Sequence, residues 1–192
     1  GNILGESQSG NIAKVGLDLF LEMLEEEVRR IRGAPVQEET EPEINIGFQA
    51  HIPEDYMPEA RERLKYYKGF ASARSFEAQQ DLEAEVRDRF GPLPEELRDF
   101  LEVLSLKRVL ARLQVSRADL GAGSIRLNWA EDVSAVEPDM LVQWVAERSS
   151  RARLKPPSTL ELQLDQTAKR REALRQAAAE VENLLTKAQA PA

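Results

Sequence analysis

Apolar positions return at intervals of three and four near the start of the chain. Ile12, Leu19, Phe20, Met23, Leu24, Val28 and Ile31 predict one long helix over residues 11–32. Gly33 and Pro35 end it. Residues 36–43 (VQEETEPE) lose all apolar periodicity and read as an acidic linker. The period then shortens to two. Ile44, Ile46, Phe48, Ala50 and Ile52 alternate with polar neighbours, as in a half-buried strand over residues 43–52. Residues 53–58 (PEDYMP) turn the chain, and Pro58 suits a helix start.

Three further helices are expected. The first runs over 58–72 with Leu64, Tyr67, Phe70 and Ala71 inward. The second starts at a Ser75 cap, carries a core stripe of Ala78, Leu82, Val86 and Phe90, and stops at Gly91. Pro94 opens the third, with Glu95 and Glu96 at the positive end of its dipole. Beyond Gln114 the pattern is mixed. Residues 115–120 read as a short strand, Gly121-Ala122-Gly123 as a hairpin turn, and Ile125, Leu127 and Trp129 as its partner strand. A short helix follows Glu137, an extended piece covers 151–155, and Pro156-Pro157 interrupts the chain. Leu160, Leu162 and Leu164 alternate again, and residues 165–187 form a last helix. Helices and strands cluster instead of alternating, which favours an α+β fold. The expected architecture is a small mixed or antiparallel sheet packed with several helices, preceded by the long N-terminal helix.

Composition narrows the chemistry. The 192 residues hold 26 Lys and Arg against 34 Asp and Glu, a net charge of −8. Such an acidic balance disfavours autonomous nucleic-acid binding and favours a basic protein surface as partner. There is no cysteine, which removes disulfides and thiolate catalysis and suits a cytoplasmic protein. The sequence holds no stretch that reads as a membrane span.

No G-x-x-x-x-G-K-[ST] phosphate loop and no G-x-S-x-G elbow occurs. The single histidine, His51, lies on the polar side of a strand, so no metal site and no catalytic residue is assigned. The most basic stretch holds Arg61, Lys65 and Lys68 around Tyr66 and Tyr67. Exposed aromatics beside cations can stack on bases, which makes this a candidate nucleic-acid contact. The competing reading places the tyrosines in the core and the lysines in water. Glu77, Asp81, Glu85 and Asp88 follow at spacings of four, four and three, forming a row about 100° from the expected core stripe. Like charges so spaced cost a few tenths of a kcal/mol per pair, so the row either invites a basic partner or is an ordinary solvated face of an acidic protein.

The opening residues, GNILGESQSG, closely resemble the end of the translocation motif shared by RecG-like DNA translocases and the bacterial transcription-repair coupling factor. From residue 44 on, three runs are similar to the C-terminal domain of that factor. They are IPEDYMP at 52–58, the RL–YK–ASA pattern spread over 63–73, and DRFGPLP at 88–94. The resemblance implies residues 1–35 as the end of the translocation motif with a connecting helix, 36–43 as linker, and 44–192 as a regulatory domain. Gln8 matches a motif glutamine. The parent protein would be an ATP- and Mg-dependent translocase on double-stranded DNA that displaces RNA polymerase and recruits UvrA. Its motor motifs are absent here, so no enzyme activity and no cofactor is expected for this segment. The domain would dock on a UvrB-like N-terminal module of the same chain and hide the surface that UvrA needs. Glu85 and Asp88 match family positions that meet basic residues of that module; Glu77 and Asp81 extend the row. The alternative is a DNA-contacting accessory domain of the same translocase.

Overall fold

The computed structural model describes residues 41–130 and 136–190, and these form five α-helices and a five-stranded mixed sheet. The long helix expected over 11–32, the linker as far as residue 40 and Gln8 lie outside the described residues. Two compact units are present. Phe48–Leu104 belong to the first, while residues 41–47 and those from Ser105 onward belong to the second.

The first unit holds helices α1 (Ala60–Ser72) and α2 (Phe76–Phe90) and the opening turns of α3 (Glu95–Arg112). Ser75 caps α2, its hydroxyl accepting from Ala78 N at 3.1 Å. Gly91 ends the helix at φ 92°, a left-handed conformation that favours glycine. The core gathers Met57, Tyr66, Phe70, Val86, Leu97 and Phe100, each at most 1% exposed. Helices α1 and α2 approach closely at Gly69, where an added Cβ would lie 2.7 Å from Leu82 Cδ2.

The second unit is built on the sheet. Its strands are β1 (Glu43–Ile46), β2 (Val115–Gly121), β3 (Ser124–Trp129), β4 (Ala152–Lys155) and β5 (Thr159–Gln163), ordered β1-β2-β3-β5-β4. β1 pairs parallel to β2 and all other pairs are antiparallel. Gly123 makes the β2–β3 turn at φ 76°. Ile44, Ala118, Ile125, Leu127, Leu160 and Leu162 bury one face of the sheet. Apolar residues of α3 from Ser105 on, of α4 (Pro138–Glu147) and of α5 (Arg170–Gln189) complete the core, with Leu106, Leu110, Trp144, Leu174 and Val181 each at most 2% exposed. The opposite face is polar. One register row crosses all five strands as Asn45, Asp119, Arg126, Glu161 and Arg153.

Three expectations are corrected. The alternation over 43–52 yields a strand only through Ile46; Gly47 and Phe48 bend, and Ala50 and Ile52 are buried in the first unit. The stripe expected on α2 keeps Leu82, Val86 and Phe90 but loses its first member. Ala78 is exposed, whereas Gln79 is 2% exposed beside the fully buried Val86. The last helix begins at Arg170, not at 165. The Asp165 carboxylate accepts from Thr167 N at 2.9 Å and from Thr167 Oγ1 at 2.7 Å, holding that segment in a side-chain turn.

Candidate docking surface

The runs singled out by resemblance meet inside the first unit, and most of their residues serve the fold. Arg63 is buried, and its Nη1 donates to the carbonyls of Met57 and Pro58, both at 2.8 Å. A guanidinium can satisfy two carbonyls at once because its donors form a rigid fork. The turn 53–58 is thereby tied to α1. Ile52 N donates to Tyr67 Oη at 2.6 Å. Burial pushes the Tyr67 phenol up to about 12, partly opposed by that hydrogen bond and by Arg63. Tyr56 Oη donates to Gly91 O at 2.7 Å, and Tyr56 and Tyr66 each pack on the Phe90 ring at 5.9 Å. Arg89 reaches back to α1, donating to Tyr66 Oη at 2.7 Å and to both oxygens of Glu62 at 3.1 and 3.2 Å. The Arg89 hydrogen bonds hold the Glu62 carboxyl below its ordinary range.

This frame fixes the rotation of α2. Gln79, Leu82, Glu83, Val86 and Phe90 face inward; Gln79 Nε2 donates to Leu101 O at 3.4 Å. Burial pushes the half-buried Glu83 carboxyl above its ordinary range. At about 100° per residue, the row Glu77, Asp81, Glu85 and Asp88 sits about 160° from the centre of that inward stripe. The sequence placed it nearer the core. All four are exposed, and none forms an ion pair among the described residues. The run DRFG therefore divides its work. Arg89, Phe90 and Gly91 bind α1 and the 53–58 turn, while Asp88 has no such partner.

On α1, Arg61 and Lys65 are exposed and Lys68 is half-buried; Lys65 Nζ lies 5.2 Å from the centroid of the buried Tyr66 ring. Tyr66 and Tyr67 are 0% and 5% exposed, so neither can receive a base from solvent. The cations needed for a nucleic-acid contact are together here, but the aromatics are withdrawn. Periodicity overlooked Gln79, which tracks apolar residues and misses a polar one buried by a hydrogen bond.

A family model described as TRCF domain matches residues 46–140. The transcription-repair-coupling factor of Bacillus subtilis is 33% identical over 136 residues, 70% of this chain. That of Myxococcus xanthus is 36% identical over 121 residues, 63% of this chain. That of Escherichia coli is 28% identical over 165 residues, 83% of this chain. The chain belongs to the transcription-repair coupling factor family. It spans only 12%, 10% and 14% of the length of those three relatives, respectively. The fold of the TRCF domain agrees with a crystal structure of the C-terminal domain of a transcription-repair coupling factor. The TM-score is 0.62 at 17% identity, over 76% of this chain and 94% of that one.

Proposed function

We propose that this TRCF domain is a regulatory lid without catalytic residues of its own. Its parent is an ATP- and Mg-dependent DNA translocase acting on stalled RNA polymerase. The lid docks through Glu77, Asp81, Glu85 and Asp88 onto a basic surface of the parent's UvrB-like N-terminal module. While docked, it denies UvrA the surface it needs.

The observation carrying this reading is the outward rotation of the acidic row. Four carboxylates spaced about one turn apart stand in solvent on a helix whose opposite side, Gln79, Leu82, Val86 and Phe90, is committed to the fold. Such a row costs helix stability and gains it back only against opposite charge.

The test supplies the N-terminal module in trans and measures binding by calorimetry. Glu85→Lys with Asp88→Lys is expected to weaken binding at least tenfold while the protein stays folded. Undiminished binding by the folded double variant would reject the site. A second measurement asks whether UvrA and this domain compete for the module; simultaneous binding of both would reject the lid.

A further inference from the structure

Charge is unevenly divided along this acidic chain. Acidic residues outnumber basic ones 13 to 8 over Phe48–Leu104, but over residues 41–47, 105–130 and 136–190 basic ones lead 14 to 11. Part of that excess collects on the open face of the sheet.

Register places Glu161 of β5 between Arg126 of β3 and Arg153 of β4. Lys155 Nζ lies 2.7 Å from Glu161 Oε2, and Arg126 stands off at 4.0 Å. Lys155, helped in smaller measure by Arg126 and Arg153 and opposed by burial, keeps the Glu161 carboxyl below its ordinary range. Glu161 thus faces three cations, of which Arg126 is shared with Asp119, its register partner on β2. Arg126 and Lys155 keep 53% and 49% of their side-chain surface in water, and Arg153 is exposed. One register row is charged or polar from edge to edge, so it lacks the apolar anchor on which protein hot spots depend. The guanidinium groups of Arg126 and Arg153 stand on strands two spacings apart, about 10 Å, and each can grip a phosphate oxygen pair.

We infer that this open face, centred on Arg126, Arg153 and Lys155 around Glu161, is a contact surface for the phosphate backbone of duplex DNA. Glu161 is then a spacer that holds the three cations apart and upright. Binding is weak, sequence-independent and driven by release of counterions. The surface is separate from the acidic row and from Arg61, Lys65 and Lys68 on α1, so it does not depend on the lid reading.

The experiment titrates the 192-residue chain against a short fluorescein-labelled duplex, reading anisotropy at rising salt. Two or three phosphate contacts should give a slope of about −2 to −3 in log affinity against log salt. Arg126→Glu with Arg153→Glu should lower affinity at least tenfold and flatten the slope by about two, with an unchanged circular dichroism spectrum. The Gln versions, which keep the Lys155–Glu161 pair, should lose part of the affinity and stay folded. Arg61→Glu with Lys65→Glu should leave binding within twofold. The inference is overturned by three results: no binding by the parent chain at low salt, loss through the α1 variant instead of the sheet variant, or tighter binding of a polyglutamate peptide than of the duplex.

Discussion

Arg63 and Tyr67 show how a side chain on α1 can decide the path of a loop. The guanidinium of Arg63 satisfies two carbonyls of the 53–58 turn, and the Tyr67 hydroxyl accepts from Ile52 N. Arg63→Met keeps the stem but leaves both carbonyls without that donor. It should cost about 2–3 kcal/mol in urea denaturation, as for hydrogen bonds to a charged group. Tyr67→Phe should cost about 1–2 kcal/mol through the unpaired Ile52 N–H. The pH dependence has a definite sign. The folded phenol sits at about 12 against 10 when unfolded, so folding favours the protonated form. Its contribution is complete below pH 10 and is lost as pH rises from 10 toward 12. Denaturation midpoints between pH 9 and 11.5 should therefore fall less steeply in Tyr67→Phe; parallel curves would sink the assignment. At this scale the sequence was legible in kind but not in role. Tyr66 and Tyr67 looked equally fit to stack on bases or to fill a core, and only packing against Phe90 and Phe100 separates the two.

Helix α2 carries the argument at the next scale. Its start and stop could be read directly, because a Ser cap and a left-handed Gly act through local backbone chemistry. Ser75→Ala should lower stability by about 1 kcal/mol in thermal unfolding. Its rotation could not be read as well. Of the apolar line Ala78, Leu82, Val86 and Phe90 the last three face inward, but Ala78 does not, because Gln79 is drawn inward by the Leu101 carbonyl. Periodicity weighs transfer from water and is blind to a satisfied amide. Strand β1 failed differently. Two units share its alternating pattern, so a continuous signal ends at a bend. The acidic row offers a test in which stability and docking part company. Asp81→Lys breaks like-charge pairs with Glu77 and Glu85 and should raise helix stability by a few tenths of a kcal/mol. The same change should weaken docking on the N-terminal module. A variant that melts lower and docks less would mean that the row serves the fold instead.

For the whole chain, charge distribution matters more than net charge. A value of −8 conceals an acidic stretch from Phe48 to Leu104 and a basic balance among the described residues of the other unit. The described helices, a small sheet read as mixed or antiparallel, and the α+β class were legible because each depends on local period, whereas the polar face of the sheet depends on register between strands as far as 74 residues apart. Docking through exposed carboxylates is screened by salt. The dissociation constant for the module in trans should rise steadily with added salt, while the midpoint of urea unfolding moves little. Equal binding at low and high salt would indicate an apolar contact.

The run DRFG holds a consequence for genetics. Asp88 looks outward, Arg89 ties two helices, Phe90 fills a ring cluster and Gly91 offers its carbonyl to Tyr56. Neighbouring letters of one short word should therefore fall into separate phenotypic classes in a saturation screen. Changes at Phe90 or Gly91 should deplete the protein from cells through misfolding. Changes at Asp88 should leave its abundance intact and, under the proposed lid, free the surface for UvrA.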